Sequence, residues 1–187
     1  LVKDYPDRGD YYLDWAQDLL LANKAEEALK VYDKIDEHFG VSKDIGLQKQ
    51  RIYMDMNKPD KAIAEVQKLI AAFPHDSQLY GVLAEIYQSQ KQYDKAMEAY
   101  GKLKEIDPSN PYLHLSMADY YRNKGDNEKS YIELKQAFEN PNLPFETKFA
   151  IIASYHALYE SSPELQKQAM ELSDILVKTH PDEARAY

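Results

Sequence analysis

The sequence repeats itself with a period of 34 residues. Four segments align with one another, and the small residue inside each recurs 34 positions after the last, at Ala28, Ala62, Ala96 and Ser130. Apolar residues follow four and seven positions after each of these, and a proline stands twelve positions after two of them. A fixed period of this length is typical of repeat proteins, in which neighbouring units bury one another's apolar faces.

Each unit contains two apolar stripes with helical spacing. In the third unit the stripes are Tyr80, Leu83, Ala84 and Tyr87, then Ala96, Tyr100 and Leu103. Residues at i, i+3, i+4 and i+7 share one face of an α-helix. The nine prolines fall at the inferred helix ends or joints, where a missing N–H costs least. No alternating apolar run indicates a strand, so we expect an all-α chain of antiparallel helical hairpins.

A 34-residue helical hairpin of this pattern resembles the tetratricopeptide repeat family. The matching positions are the large–large–small–aromatic set of the first helix, the small residue of the second helix, and the closing Pro74 and Pro108. The resemblance implies an α-α superhelix (solenoid) of about five repeats, at 9–42, 43–76, 77–110, 111–144 and 145–181. It also implies that first helices line the concave side and second helices cover the outside.

The fifth unit and both ends depart from the simple repeat. Ala169 follows Ser130 by 39 residues, which predicts an insertion of about five residues, most simply in the turn at 160–163. Residues 1–6 resemble the tail of an earlier second helix, and 181–187 the start of another first helix. We therefore expect residues 1–187 to be a single array, cut within a repeat at both ends. A weaker similarity is to uncharacterised exported bacterial tetratricopeptide proteins.

The family's ligand-facing positions on the first helices predict a partner-binding surface with an apolar strip beside two arginines. Its residues are Leu13, Gln17, Leu20, Leu47, Arg51, Met54, Glu85, Tyr112, Leu115, Asp119 and Arg122. An extended segment or a helix with apolar anchors and some basic residues would suit this surface. The alternative is an ordinary solvated face. The family's clamp for a chaperone's C-terminal carboxylate needs basic or amide side chains at positions that here include leucines and acids, so we reject that ligand.

The second unit breaks the pattern. Lys49 and Gln50 stand where other units have a large residue followed by a small one. A polar pair at a joint between helices needs hydrogen-bond partners, and such breaks often mark function or strain. Alternatively, the helix rotates slightly and Lys49 reaches water past Ile45 and Tyr53.

Composition and motifs argue against chemistry and against several partner classes. The formal net charge of −9 disfavours nucleic acid, which is bound by clustered Lys and Arg. The chain has no cysteine, and its five histidines lie in separate units without metal-ligand spacing. No P-loop, dinucleotide turn or nucleophile elbow occurs. The longest apolar runs are far shorter than the ~20 residues that span a bilayer. We therefore expect no catalysis, no cofactor, no metal and no membrane insertion by this segment.

These observations together predict a protein-interaction scaffold that binds a peptide or partner protein on the concave first-helix face. One alternative is the non-catalytic repeat portion of a larger enzyme or sensor. Another is a module that binds a small ligand or glycan. Self-association through the outer helices or the end hairpins is also consistent with such a chain. Localisation depends on the upstream sequence: periplasm or lipoprotein if an export signal was removed, and cytoplasm otherwise.

Overall fold

The computed structural model describes residues 7–156 and 162–183, and these residues form ten α-helices and no strand, which confirms the all-α prediction. The helices are α1 (Gly9–Leu21), α2 (Ala25–Phe39), α3 (Lys43–Asp55), α4 (Pro59–Ala72), α5 (Ser77–Ser89), α6 (Tyr93–Ile106), α7 (Leu113–Asn123), α8 (Asn127–Glu139), α9 (Phe145–His156) and α10 (Pro163–Thr179). Odd-numbered helices are the first helices of the predicted repeats and even-numbered helices the second helices.

The chain divides into two compact units, an N-terminal unit of residues 1–99 and a C-terminal unit of residues 100–187. In the N-terminal unit, α1 packs with α2, α3 with α4, and the neighbouring hairpins meet through α2 with α3 and α4 with α5. In the C-terminal unit, α7 packs with α8, and α10 packs with both α8 and α9. Each unit therefore has its own helix-to-helix core.

Left-handed residues close the first helices. Asn23, Asn57, Lys91 and Gly125 have positive φ, between 56° and 79°. The amide after Asn23 donates to the carbonyl of Leu19 at 2.8 Å, the hydrogen bond of a Schellman motif. Asn and Gly tolerate this conformation best, which explains the residue type at Asn23, Asn57 and Gly125.

The repeated small residues lie at the tightest points of the core. Ala28, Ala62 and Ala96 are completely buried. Ser130 is half-buried, and its hydroxyl donates to the carbonyl of Ala118 at 2.8 Å. A small side chain lets two helix axes approach to ~8–10 Å, which is the role that complete burial indicates for the three alanines.

Trp15, which stands at a large position of the first-helix pattern, is 38% exposed. The ammonium of Lys34 lies 5.4 Å from the centre of its ring. The same position in α3 and α5 is buried: it holds Lys49, 1% exposed, and Leu83, 8% exposed.

The irregular fifth unit is partly described. Helix α10 begins six residues before Ala169, whereas α2, α4, α6 and α8 each begin three residues before their small residue. Part of the predicted insertion therefore lengthens the start of α10. Residues 160 and 161 of the predicted turn lie outside the described residues. The two expected partial repeats, at 1–6 and beyond 183, also lie outside them.

In the second hairpin, the space left by the missing side chain of Gly46 on α3 is filled by the side chain of Leu69 on α4. The position that holds Tyr12 in α1 and Tyr80 in α5 is Gly46 in α3, and the Leu69 side chain of α4 fills the space. A Cβ at Gly46 would clash with that side chain.

We expect Gly46→Ala to destabilise the protein by about 1–3 kcal/mol, because the added methyl overpacks a filled joint. The matched control is Gly101→Ala, since a Cβ there meets no atom within 4 Å. Relief of glycine's helix cost should make that variant more stable, by about 0.5–1 kcal/mol. Urea unfolding followed by circular dichroism at the helix band measures both changes. A stabilising effect of Gly46→Ala would show that the joint is not filled.

Candidate partner-binding site

The predicted site residues of the N-terminal unit form two helical stripes and one separate position. Leu13, Gln17 and Leu20 lie at i, i+4 and i+7 on α1, and Leu47, Arg51 and Met54 repeat that spacing on α3. Glu85 lies on α5. Leu13, Gln17, Arg51 and Glu85 are exposed, whereas Leu20 packs partly against the core. The stripes carry apolar and polar groups side by side.

In the C-terminal unit the structure brings three predicted residues together. Leu115, Asp119 and Arg122 line one wall of a groove of about 650 Å³ between α7 and α9. Tyr112, 50% exposed, stands just ahead of α7 and does not line the groove. The floor comes from α7 and α8, and the opposite wall is α9; both were missed from the sequence. These further lining residues are Ala118, Ser130, Leu134, Glu146, Thr147, Ala150, Ile151, Ser154 and Tyr155.

The groove exists where the packing face of α9 is polar. Thr147 and Ser154 stand at the repeat positions that hold buried Leu79 and Ile86 in α5. A hydroxyl side chain contributes less to apolar burial than leucine or isoleucine does, so less drives α9 against α7. The presence of these two polar residues at positions that are apolar in α5 is the sequence signal that would have predicted the groove.

The polar rim of the groove offers both hydrogen-bond donors and acceptors. Arg122 is ion-paired with Asp119. The hydroxyl of Ser154 donates to a backbone carbonyl and so presents its lone pairs outward. Burial raises the pKa of Tyr155, and the nearby Arg122 charge offsets part of that rise. Tyr155 therefore stays a neutral phenol, able to donate or accept.

A second cavity of about 470 Å³ shares Arg122, Ser130, Ser154 and Tyr155 with the groove. Its other lining residues are mostly polar and come from α8 and from the start of α10: Asn127, Tyr131, Ser162, Glu164, Leu165 and Gln168. The shared residues thus form the boundary between the two cavities.

The model of the tetratricopeptide repeat matches residues 19–86 and again residues 53–120, which together span more than half of the chain. The chain belongs to the tetratricopeptide repeat family. No curated protein sequence matches it.

Solved tetratricopeptide structures resemble the fold. The chain is 18% identical to MamA from Desulfovibrio magneticus RS-1, over 74% of this chain and 78% of that one, with a TM-score of 0.60. A crystal structure of a MamA protein is 14% identical, over 95% and 94%, with a TM-score of 0.63. TTC0263, a thermophilic TPR protein of Thermus thermophilus, is 16% identical, over 96% and 95%, with a TM-score of 0.60. At these identities the likeness shows the fold, an α-α solenoid of antiparallel hairpins.

Lys49, the departure from the tetratricopeptide pattern, does not reach water. It is 1% exposed, and its ammonium lies 2.7 Å from Asp33, 3.0 Å from Asp36 and 3.1 Å from Glu65. Lys68 also pairs with Asp36, at 2.6 Å. Burial by itself would lower the pKa of Lys49, but the hydrogen bonds that its ammonium donates to the three carboxylates, together with their negative charge, outweigh burial and raise the pKa. The alternative in which Lys49 reaches water past Ile45 and Tyr53 is therefore wrong, and Lys49 has carboxylate partners instead.

Lys148 is the second buried lysine, and its surroundings differ from those of Lys49. It is 0% exposed, and its ammonium donates to the Thr179 hydroxyl at 2.9 Å. No carboxylate of the described residues pairs with it. Burial lowers its pKa to about 8.

The carboxylates around Lys49 are not a metal centre, because the lysine occupies their middle. Among residues 7–156 and 162–183, no group of three or more His, Asp or Glu side chains is arranged to hold a metal ion. In the same residues no helix is both long and apolar enough to cross a membrane.

We expect methionine to have opposite effects at the two buried lysines. Lys49→Met leaves Asp36 and Glu65 buried with only Lys68 to neutralise them, and should cost about 3–5 kcal/mol. Lys148→Met removes an ammonium that burial disfavours, and should stabilise the protein at pH 7 by about 1–3 kcal/mol. Urea unfolding of both variants measures whether each substitution lowers or raises the free energy of unfolding.

The pH dependence of the Lys148→Met effect is a second readout. Below pH 8 the folded protein carries the full cost of a charged, buried Lys148. Between pH 8 and the ordinary lysine pKa of about 10.4, the folded state binds fewer protons than the unfolded state, so the stability of the unaltered protein rises. The advantage of Lys148→Met should shrink across that window. An advantage that does not change with pH would contradict the assigned pKa.

Proposed function

We propose that this tetratricopeptide chain is an interaction scaffold that binds a peptide segment of a partner protein on its first-helix face. In the C-terminal unit, the groove between α7 and α9 takes an apolar side chain of that segment. Family membership supports a protein-interaction role in general. The groove carries the finer proposal, because it combines an apolar floor with a rim of hydrogen-bonding groups.

The chemistry of the groove suits a peptide. Leu115, Leu134 and Ile151 offer an apolar surface, which supplies the affinity of most binding pockets. The Ser154 oxygen can accept a peptide N–H, while Arg122 and Tyr155 can donate to peptide carbonyls. No catalytic role follows from these groups, since no general base or nucleophile pair is formed among them.

Selection of displayed random peptides on the purified chain tests this proposal. We expect peptides with an apolar anchor, and we expect Ala150→Trp to weaken their binding at least tenfold, because the indole fills the groove from the exposed side of α9. Ala64→Trp, at an exposed alanine of α4, is the matched control. Fluorescence polarisation of labelled peptides gives both affinities.

A combined change of Arg51, Met54, Tyr112 and Arg122 to alanine tests the wider first-helix face. Peptide binding should fall while the helical circular dichroism stays unchanged. Peptides that bind every variant equally would place the binding surface elsewhere and reject the proposal.

A small-ligand module is the second candidate, and the two adjoining cavities favour it. Their volumes lie in the range that encloses a drug-sized molecule or a short glycan. A ligand that occupies them stabilises the folded state by mass action. We expect a thermal-shift screen of oligosaccharides and small amphiphiles to raise the melting temperature of the unaltered chain but not of Ala150→Trp, if this candidate is right. A screen without such a ligand counts against it.

A further inference from the structure

The cavity of about 470 Å³ beside the groove is lined by two charged side chains, Arg122 and Glu164. The Arg122 guanidinium is ion-paired with Asp119, so its charge is balanced within the chain. The Glu164 carboxylate accepts a hydrogen bond from the neutral Gln168 amide at 3.4 Å. In the part of the chain that the structure describes, no Lys, Arg or His forms an ion pair with it. Glu164 therefore gives the cavity an unbalanced negative charge.

The surrounding charges do not cancel that of Glu164. The ion pairs on the neighbouring turns of α8 and α10 are balanced in themselves: Asp126 with Lys129, and Lys135 with Glu171. Lys167 is exposed one turn after Glu164, and Glu128 is exposed at the start of α8. These two side chains have opposite charges, and neither of them lines the cavity.

Aromatic rings add a second attraction for a cation. Tyr131 and Tyr155 line the cavity, and the Lys135 ammonium already lies 5.8 Å from the centre of the Tyr131 ring. A cation within about 6 Å of a ring centre is attracted by the negative face of the ring. Burial raises the pKa of Tyr131, and its hydrogen bond to Glu171 and the nearby Glu164 charge add to the rise. The Glu164 carboxylate and a neutral phenol ring thus lie close together.

We propose that this cavity selects a lysine or arginine side chain of the same peptide segment whose apolar side chain enters the groove. The inference rests on the proposed function and specifies its partner. The two side chains can bind together because the groove and the cavity share four lining residues. The formal net charge of −9 also attracts basic partners to the chain.

The spacing of the two peptide residues follows from strand geometry. In an extended segment, residues two apart point to the same side and are about 6.6 Å from one another. Peptides selected by display on the purified chain should therefore carry Lys or Arg two residues from the apolar anchor. Selection on Glu164→Lys should return an acidic residue at that place instead, because the cavity charge is reversed.

Fluorescence polarisation of one selected peptide measures the contribution of Glu164. Glu164→Gln should weaken binding about fivefold, the upper end of what an ion pair near the surface supplies. Glu37→Gln removes the same charge from an exposed position of α2 and is the matched control, which should bind like the unaltered chain. Circular dichroism checks that each variant is folded. Salt of 1 M, where charges are screened beyond about 3 Å, should remove the basic preference of the unaltered chain without any substitution.

A double-mutant cycle shows whether the two charges meet. In the second peptide, methionine replaces the basic residue. The unaltered chain and Glu164→Gln should bind that peptide equally, so the fivefold difference disappears. A loss that is the same for both peptides would overturn the proposal, since Glu164 would then act without contacting the basic residue.

The outcomes separate this inference from the proposed function. Peptides that Ala150→Trp blocks but that show no basic preference would overturn the role of the cavity and leave the groove in place. A preference for acidic residues on the unaltered chain would identify Arg122 as the recognised charge and would overturn the inference too. A selection that returns no peptide, or only peptides that Ala150→Trp does not weaken, would reject both.

Discussion

The close approach of paired helices at small side chains is the constraint on which the rest of this fold depends. A single hairpin leaves apolar side chains uncovered, and only a neighbour packed tightly against it can bury them. Fully buried alanines such as Ala28, Ala62 and Ala96 make that approach sterically feasible. Gly46 shows the same constraint in another form, because the volume removed from α3 is returned by Leu69 of α4. Close packing requires that the space between two helices be filled, and the side chain that fills it can come from either helix.

Much of the fold could be predicted because its determinants are local and repeated. Helix type follows from apolar spacing, and helix ends follow from Asn23, Asn57 and Gly125, whose tolerance of positive φ is a property of the residue itself. The turn at Lys91 adopts the same conformation without such a residue, so residue type alone does not account for it.

What could not be predicted depends on contacts between hairpins. Lys49 alone is compatible with snorkelling or with burial. The choice is made by Asp33, Asp36 and Glu65, which lie on two other helices. For the candidate site, the residues of α7 followed from their repeat positions, whereas the α9 wall of the groove did not. Thr147 and Ser154 become informative only when they are compared with the apolar residues at the same positions of α5. Their effect is to leave a gap between α9 and α7, which no pairwise contact reveals.

The two buried lysines show that residues of neighbouring helices determine whether a buried charge is compensated. Both side chains are removed from water to the same degree, so both carry a desolvation cost. At Lys49 that cost is exceeded by three carboxylates, and the ion network joins α2, α3 and α4. At Lys148 a single hydroxyl is the partner, and the charge is left largely uncompensated. The same residue type therefore strengthens one joint of the solenoid and weakens another.

The packing positions of the repeats decide how closely neighbouring helices approach. Where two of these positions are apolar, as at Leu79 and Ile86 of α5, the side chains are buried. Where the same two positions are polar, as at Thr147 and Ser154 of α9, a groove is left beside the helix. The open surface of this chain at α9 therefore follows from incomplete packing between repeats, and the residues at two packing positions account for it.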